Sequence, residues 1–362
     1  MSSNLGKRFS VSVFGESHGP AFGMVLENPP IGLTLDFDYI AAQMARRAPG
    51  NDPTATPRKE KDLPEFLSGI KDGVTTGAPL TAIIRNSGQR SIEYEALKRC
   101  PRPSHADYAA EVHYGGFQDV AGGGHFSGRL TAPLVTAGSI LRLYLKQKGI
   151  EIGGHICRIG TVEDARFDPV SISPDTLCRL AEQSFALLDP TKEDTMRAEV
   201  EAARIEQDSI GGMLELAVTG LPAGLGGPMF DGVENILSKA IFGIPAVKGI
   251  EFGDGFALSA MRGSVANDQM YMKDGKVTCR TNHSGGVTGG ITNAMPLIFR
   301  VAIKPTPSIS RTQETVDLKT GETVPLNIHG RHDPCIVPRA LPAVEAVTAI
   351  AVANLLSEVC EK

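Results

Sequence analysis

The residues that decide the fold run 121-AGGGHFSGRLTAPLVTAGSILRLYLKQKG-149. The second half predicts one helix. Thr131 suits the N-cap, Pro133 the first turn, and Gly149 the left-handed stop. Lys146 and Lys148 fall in the last turn, where cations complement the helix dipole. Leu134, Val135, Ile140, Leu141, Leu143 and Leu145 do not form one narrow stripe, and Ala137, Gly138 and Ser139 lie between them. A helix that is apolar or small nearly all round is buried on most sides. The first half offers backbone N–H groups from Gly122, Gly123 and Gly124, together with His125, Ser127 and Arg129. Glycines admit close approach of a ligand, and helix N-termini favour anions. The stretch therefore reads as a buried helix aimed at a phosphate or carboxylate. The competing reading is a glycine-rich surface turn ahead of a core helix.

Composition narrows the class. With 362 residues and an apolar share of 41%, the chain can bury a sizeable core. The net charge of −5 gives no global case for nucleic acid or an anionic membrane, so any anion site must be a local basic cluster. The six cysteines form no C-x-x-C pair, which suggests neither a zinc site nor a disulfide framework. A reduced, cytoplasmic compartment is expected. The opening MSSNLGKRFS lacks the apolar core of a signal peptide, and the run Ala346 to Leu356 is too short to span a bilayer.

Along the chain, Phe9 to Phe14 and Ala21 to Leu26 read as strands. The turn between them carries Glu16, Ser17 and His18. Asp36 or Asp38 caps a helix that ends in Arg46-Arg47. Ala48 to Glu65, with four prolines and the charge run Arg58 to Asp62, reads as a loop able to serve as a lid. Leu80 to Arg85 is a strand, and Pro101 to Tyr108 a polar turn entering a short helix. A strand near Ile150 to Ile159, a helix capped by Ser173, a charged helix Glu193 to Glu206 and a strand near Met213 to Val218 follow. Segments starting at Gly23, Gly73 and Arg129 resemble segments starting at Gly212, Gly286 and Arg339, in the same order. A diverged duplication, about 9–150 and 207–360, would produce this and pack two similar helices inside.

The basic residues sit beside turn formers: Arg46-Arg47 at a helix end, Arg102 between prolines, Arg129 after Gly128, Arg331 after Gly330. Each alone suits a solvated surface. Together with three histidine turns they suggest a polyanionic small-molecule site, because arginine's planar fork pairs bidentately with carboxylate or phosphate. His329 to Cys335 is the densest polar cluster. A metal reading through His329, His332 and Asp333 is opposed by Arg331 among them. Asp333 as a helix cap and an acid–base role with His18 and His105 are the other readings. Lys304, Thr306 and Ser308, spaced by Pro305 and Pro307, are phosphate donors at a strand exit. No Rossmann fingerprint and no Walker A motif is present.

In that order the chain resembles the chorismate synthase family. The matching segments are Phe14-Gly-Glu-Ser-His-Gly, Arg46-Arg47-x-Pro-Gly, Arg102-Pro-x-His-Ala-Asp-Tyr, Gly122-Gly-Gly to Thr131 and Ala223-Gly-Leu-Gly. Val247-Lys-Gly-Ile-Glu, Asn282-His-x-Gly-Gly, Lys304-Pro-Thr and Gly330-Arg-His-Asp-Pro-Cys complete them. The resemblance spans essentially the whole chain as a single domain. It implies an α+β fold, a β-α-β sandwich with helices between antiparallel sheets. It implies conversion of 5-enolpyruvylshikimate 3-phosphate to chorismate with loss of phosphate, reduced FMN without net redox change, and a homotetramer. Reduced flavin would come from an external flavin reductase or another supply, with NADPH as external reductant.

By the same resemblance His18, His105 and Asp333 are catalytic, and Ser17, Arg46, Arg47, Arg102 and Arg129 bind substrate. Arg47 is also assigned a nicotinamide nucleotide contact. His125, Phe126, Ser127, Pro245, Ala246, Gly289, Lys304, Pro305, Thr306, Pro307, Ser308 and Arg331 contact flavin. The chain departs from the family pattern at Ala48, His125, Leu130 and Pro245, where Arg, Arg, Glu and Asn are common. His125 and Leu130 together read as a paired loss of opposite charges. A flavin oxidoreductase and a non-catalytic binder of an acidic metabolite are the rival classes.

Overall fold

The computed structural model describes residues 3–50, 62–86, 95–328 and 332–360. Two five-stranded sheets enclose a layer of helices. The first sheet contains β1 (Asn4–Leu5), β2 (Val11–Gly15), β3 (Ala21–Leu26), β4 (Glu65–Ser68) and β5 (Leu80–Arg85), in the order β1-β2-β3-β5-β4. The second contains β6 (Glu151–Ile159), β7 (Val162–Glu163), β8 (Gly212–Thr219), β9 (Val247–Phe252) and β10 (Leu297–Ile303), in the order β9-β10-β8-β6-β7. Every neighbouring pair in both sheets is antiparallel. Between them lie α1 (Phe37–Arg47), α3 (Thr131–Gln147) and α5 (Val337–Cys360), with α2 (Asp107–Tyr114) and α4 (Val233–Ile241) nearby. Helix α3 packs on β2, β3 and β5, α5 packs on β6 and β8, and α3 and α5 pack on each other.

The buried-helix reading of the opening stretch is met. Twelve residues of α3 are buried, from Thr131 to Leu145, including Arg142. Gly138 sets the crossing: a Cβ there would lie 2.4 Å from both Cα and Cβ of Ala346 on α5. Backbones this close need a residue with no side chain at the contact. The Thr131 cap expectation is corrected. The helix starts at Thr131, Leu130 takes the cap position, and the Thr131 hydroxyl donates to the Gly128 carbonyl at 2.6 Å. Gly149 is left-handed as expected, with φ +74°. Asp36 rather than Asp38 caps α1, accepting from the Tyr39 N–H at 2.9 Å.

Helix α5 is longer than the run Ala346 to Leu356 suggested, because Pro342 lies inside its early turns rather than ending it. By length and composition Val337–Glu358 could cross a membrane, but 89% of its most apolar window is buried within the fold. Its hydrophobicity serves the core between two sheets.

The same succession of elements builds both sheets. Strands β2 and β3, helix α1, strands β4 and β5 and helix α3 follow one another in the first. Strands β6 and β8, helix α4, strands β9 and β10 and helix α5 do so in the second, with the same strand neighbours. The similar segments from Gly23 and Gly212, Gly73 and Gly286, and Arg129 and Arg339 occupy matching places in that succession.

The helix layer carries a buried charge cluster around Glu345. The Glu345 carboxylate on α5 accepts from Arg46 Nη1 at 2.6 Å and from Arg142 Nη1 at 3.0 Å, all three side chains being under 10% exposed. Arg46 is therefore not delivered to an open anion site. It is spent pairing α1 with α5, and the reason is register: one step along α1 turns Arg46 and Arg47 to different faces.

Candidate active site

A cavity of about 960 Å³ opens where the turn after β2, the end of α1, the glycine-rich segment, the turn after α4, the exit of β10 and the start of α5 converge. That size lies at the upper end for small-molecule sites. Ser17, Arg47, His105, Arg129, Asp333 and Arg339 are among its lining residues.

The glycine run seats two imidazoles. Gly122, Gly123 and Gly124 have φ of +61°, +84° and +52°, which disfavours any side chain. A Cβ on Gly122 would lie 2.0 Å from the His18 ring, and one on Gly123 would lie 3.2 Å from His105 Nε2. Two imidazoles from separate turns are thus seated on adjacent glycines. The Gly124 carbonyl accepts from the Ser17 N–H at 3.1 Å and ties the first turn to the run.

Two arginines share a single acid. Arg47, only 2% exposed, donates from Nη1 to Asp62 at 2.5 Å, from Nε to Thr131 Oγ1 at 3.2 Å and from Nη2 to the Gly128 carbonyl. Arg129 donates from Nη2 to the other Asp62 oxygen at 2.8 Å and from Nη1 to Asn86 Oδ1 and the Ser17 carbonyl. Its guanidinium stacks over Phe22 at 4.9 Å. Asp62 was read only as the end of a loop's charge run, yet its side chain is 1% exposed and pairs with both cations.

Arg339 was also missed as a site residue. It lines the cavity, pairs with Asp333 and donates from Nε to the Arg47 carbonyl at 3.3 Å. The signal was available: the segment match sets Arg339 opposite Arg129. Asp333 lies ahead of α5 and is not its cap residue.

Arg102 does not line the cavity. It lies behind His105, holding Asp107 from Nε at 2.7 Å and Nη2 at 2.8 Å and reaching Ser308 Oγ at 3.1 Å. Asp107 Oδ1 meets His105 Nδ1 at 2.5 Å. Burial works against ionising Asp107, but the hydrogen bonds from Arg102 and His105 outweigh it and hold the carboxyl far below the usual carboxylate range.

His125, Phe126, Ser127, Pro245, Ala246, Lys304, Thr306, Pro307 and Ser308 all line the cavity. Pro305 does not, and Gly289 lies outside it in the turn of a separate hairpin, between Thr288 and Ile291. Arg331 and His329 lie outside the described residues. Ala246 adopts a left-handed φ of +72°, and its carbonyl accepts from the Lys304 N–H. Both His125 ring nitrogens are engaged, with the Gly15 carbonyl at 2.8 Å and the Ser3 hydroxyl at 2.7 Å. Leu130 is buried in the core. The Thr306 hydroxyl is buried without a hydrogen-bond partner among the described residues. Burial, with Lys248 nearby, lowers the Lys304 pKa.

The chorismate synthase family profile matches residues 9–356. A chorismate synthase of Aeropyrum pernix is 46% identical over 353 residues, covering 98% of this chain and 92% of that one. One of Thermococcus kodakarensis is 45% identical over 351 residues, covering 97% and 96%. A crystal structure of chorismate synthase superposes with a TM-score of 0.75 at 27% identity, covering 96% of this chain and 91% of that one. With a fold, a cavity lined by His105, Arg47, Arg129 and Arg339 and sequence relatives that agree from end to end, the chain belongs to the chorismate synthase family.

Proposed function

We propose that this cavity converts 5-enolpyruvylshikimate 3-phosphate to chorismate by 1,4-trans elimination of phosphate, the work of a carbon–oxygen lyase in aromatic amino acid biosynthesis. The observation that carries the assignment to this cavity is the seating of His18 and His105 on adjacent glycines beside Arg47, Arg129 and Arg339. The substrate bears a phosphate and two carboxylates. Arg47, Arg129 and Arg339, with Ser17, receive these anions, and Asp62 pairs with two of them until they do. His18 and His105 handle protons, a role that needs imidazoles within reach of the reacting atoms. Asp333 is the acid on the opposite lining.

Reduced FMN fits the remaining lining. The unpartnered Thr306 hydroxyl, Lys304 and Ser308 form a donor set suited to a flavin phosphate, and Pro307 holds the backbone between them. Phe126, Ser127, Pro245 and Ala246 offer a largely apolar wall to the ring system. When bound, the reduced flavin supplies an electron that is returned within each turnover. Arg47 is given to the substrate in this cavity, which leaves NADPH to act at an external flavin reductase. Phe117, Phe230 and Phe256, each more than 80% exposed, support burial between copies in a cytoplasmic homotetramer. That leaves Gly289 to meet a flavin of a neighbouring copy.

Under anaerobic conditions, a catalytic amount of photoreduced FMN should support many turnovers. Each should release one phosphate and one chorismate, and oxidised FMN alone should support none. Oxidation of one flavin per product would replace the elimination with a net redox reaction. Absence of product would leave a binder of acidic metabolites.

A further inference from the structure

We propose that Asp107 is a positioning residue that fixes the tautomer of His105, and that Arg102 clamps Asp107 for this purpose. The role of His105 in the chemistry rests on the function proposed above; its tautomer does not. Two donors converge on Asp107 Oδ1: His105 Nδ1 at 2.5 Å and Arg102 Nη2 at 2.8 Å. Asp107 Oδ2 takes Arg102 Nε at 2.7 Å and the Arg102 backbone N–H at 3.1 Å. A carboxylate in that setting is acceptor only, so the short contact is Nδ1–H donating to Oδ1. Arg102 Nη2 also lies 3.1 Å from Nδ1, but an Nδ1 that carries hydrogen has no lone pair for it. The proton on Nδ1 leaves Nε2 as the atom that exchanges protons, and the Cε1–Nε2 edge of the ring is the one that faces Gly123 in the glycine run. Hydrogen bonding at one ring nitrogen sets the state of the other.

The clamp makes the assignment asymmetric and hence testable. An Asn at 107 would keep its carbonyl at the Oδ2 position, where two Arg102 donors point. Its amide would then fall at the Oδ1 position and donate to Nδ1, placing the ring hydrogen on Nε2. The proton would be on the wrong atom with the ring unmoved. Asp107 also reaches the flavin-facing segment indirectly, because Arg102 Nη1 donates to Ser308 Oγ.

The test is ¹⁵N NMR of histidine-labelled protein at a pH where the ring is neutral, with His105 assigned by difference against His105→Gln. Wild type should show Nδ1–H, and Asp107→Asn should show Nε2–H. In turnover, Asp107→Asn should lose at least about 100-fold in kcat with KM for the substrate changed less than about threefold. Asp107→Glu, which keeps the acceptor, should recover part of that loss. Nε2–H in the wild-type ring overturns the proposal without any variant at 107. So does Asp107→Asn with an unchanged tautomer or near-normal kcat. Failure of wild type to form chorismate would strike the functional reading and leave the ring assignment to the spectra.

Discussion

Replacing Gly138 with alanine pits two known effects against each other. Alanine in a helix interior is favoured over glycine by about 1 kcal/mol, so an isolated α3 would gain. In the folded chain the new Cβ would lie 2.4 Å from Cα and Cβ of Ala346 and 2.5 Å from its carbonyl oxygen. Carbon contacts are favourable near 3.5–4.0 Å, so the helices must part by about 1 Å, and a gap of that size forfeits a quarter to a half of each affected dispersion contact. Overpacking of this kind typically costs about 1–3 kcal/mol, and here the obstruction is backbone, which cannot rotate away. The net expectation is a loss of about 1–2 kcal/mol after the propensity gain. Thermal unfolding of the two proteins measures it. Ala346→Gly should rescue only in part, because it removes one of the three close atoms. Activity should fall with stability, since α3 begins just after Arg129 and α5 carries Arg339 in its first turn. A Gly138→Ala variant more stable than the parent would refute the claim that this crossing is closed by backbone contact.

Glu345→Gln should leave Arg46 and Arg142 buried without their anion and cost about 3–5 kcal/mol, read as a fall in Tm; an unchanged Tm would show the cluster to be dispensable. Asp62→Asn should lower Tm yet enlarge the stabilisation by added inorganic phosphate, because Arg47 and Arg129 lose their internal counterion; an equal or smaller phosphate effect would exclude competition between Asp62 and an anion. His155 lies fully buried between Asp164 at 2.8 Å and Glu215 at 3.0 Å. Burial opposes charge on all three, but the mutual hydrogen bonds win, raising the imidazole above 6.5 and lowering both carboxyls. The imidazolium's contribution is complete below 6.5 and lost as pH rises through its folded value, while that of the carboxylates is lost as pH falls through theirs. Wild-type Tm should therefore fall more steeply than that of His155→Gln on the alkaline side, and parallel curves would contradict the assignment.

Much of the site and fold was legible in local patterns. A helix apolar on every side has to be enclosed, and Ala121 to Gly149 led directly to the layer between the sheets. Alternation marked the strand that became β2, and Asp36 and Ser173 marked helix starts, because caps and strand periodicity depend on neighbouring residues alone. The turns at Ser17 and His105, the donor run at Lys304 and the family motifs named many of the groups that line one cavity. Pairing was not legible. Arg46 and Arg47 are adjacent, and only the packing of α1 sends one to Glu345 and the other to Asp62. Arg102 looked like an anion binder until the fold put Asp107 against it. Gly122 and Gly123 were read for their amides, and only the fold brought two imidazoles from distant turns to rest on them. Local preferences are short-range and additive, whereas the partner of a buried charge is whatever the closed fold brings within about 3 Å of it. That distance is set by contacts between residues hundreds of positions apart, and it exists only once both sheets have closed on the helices.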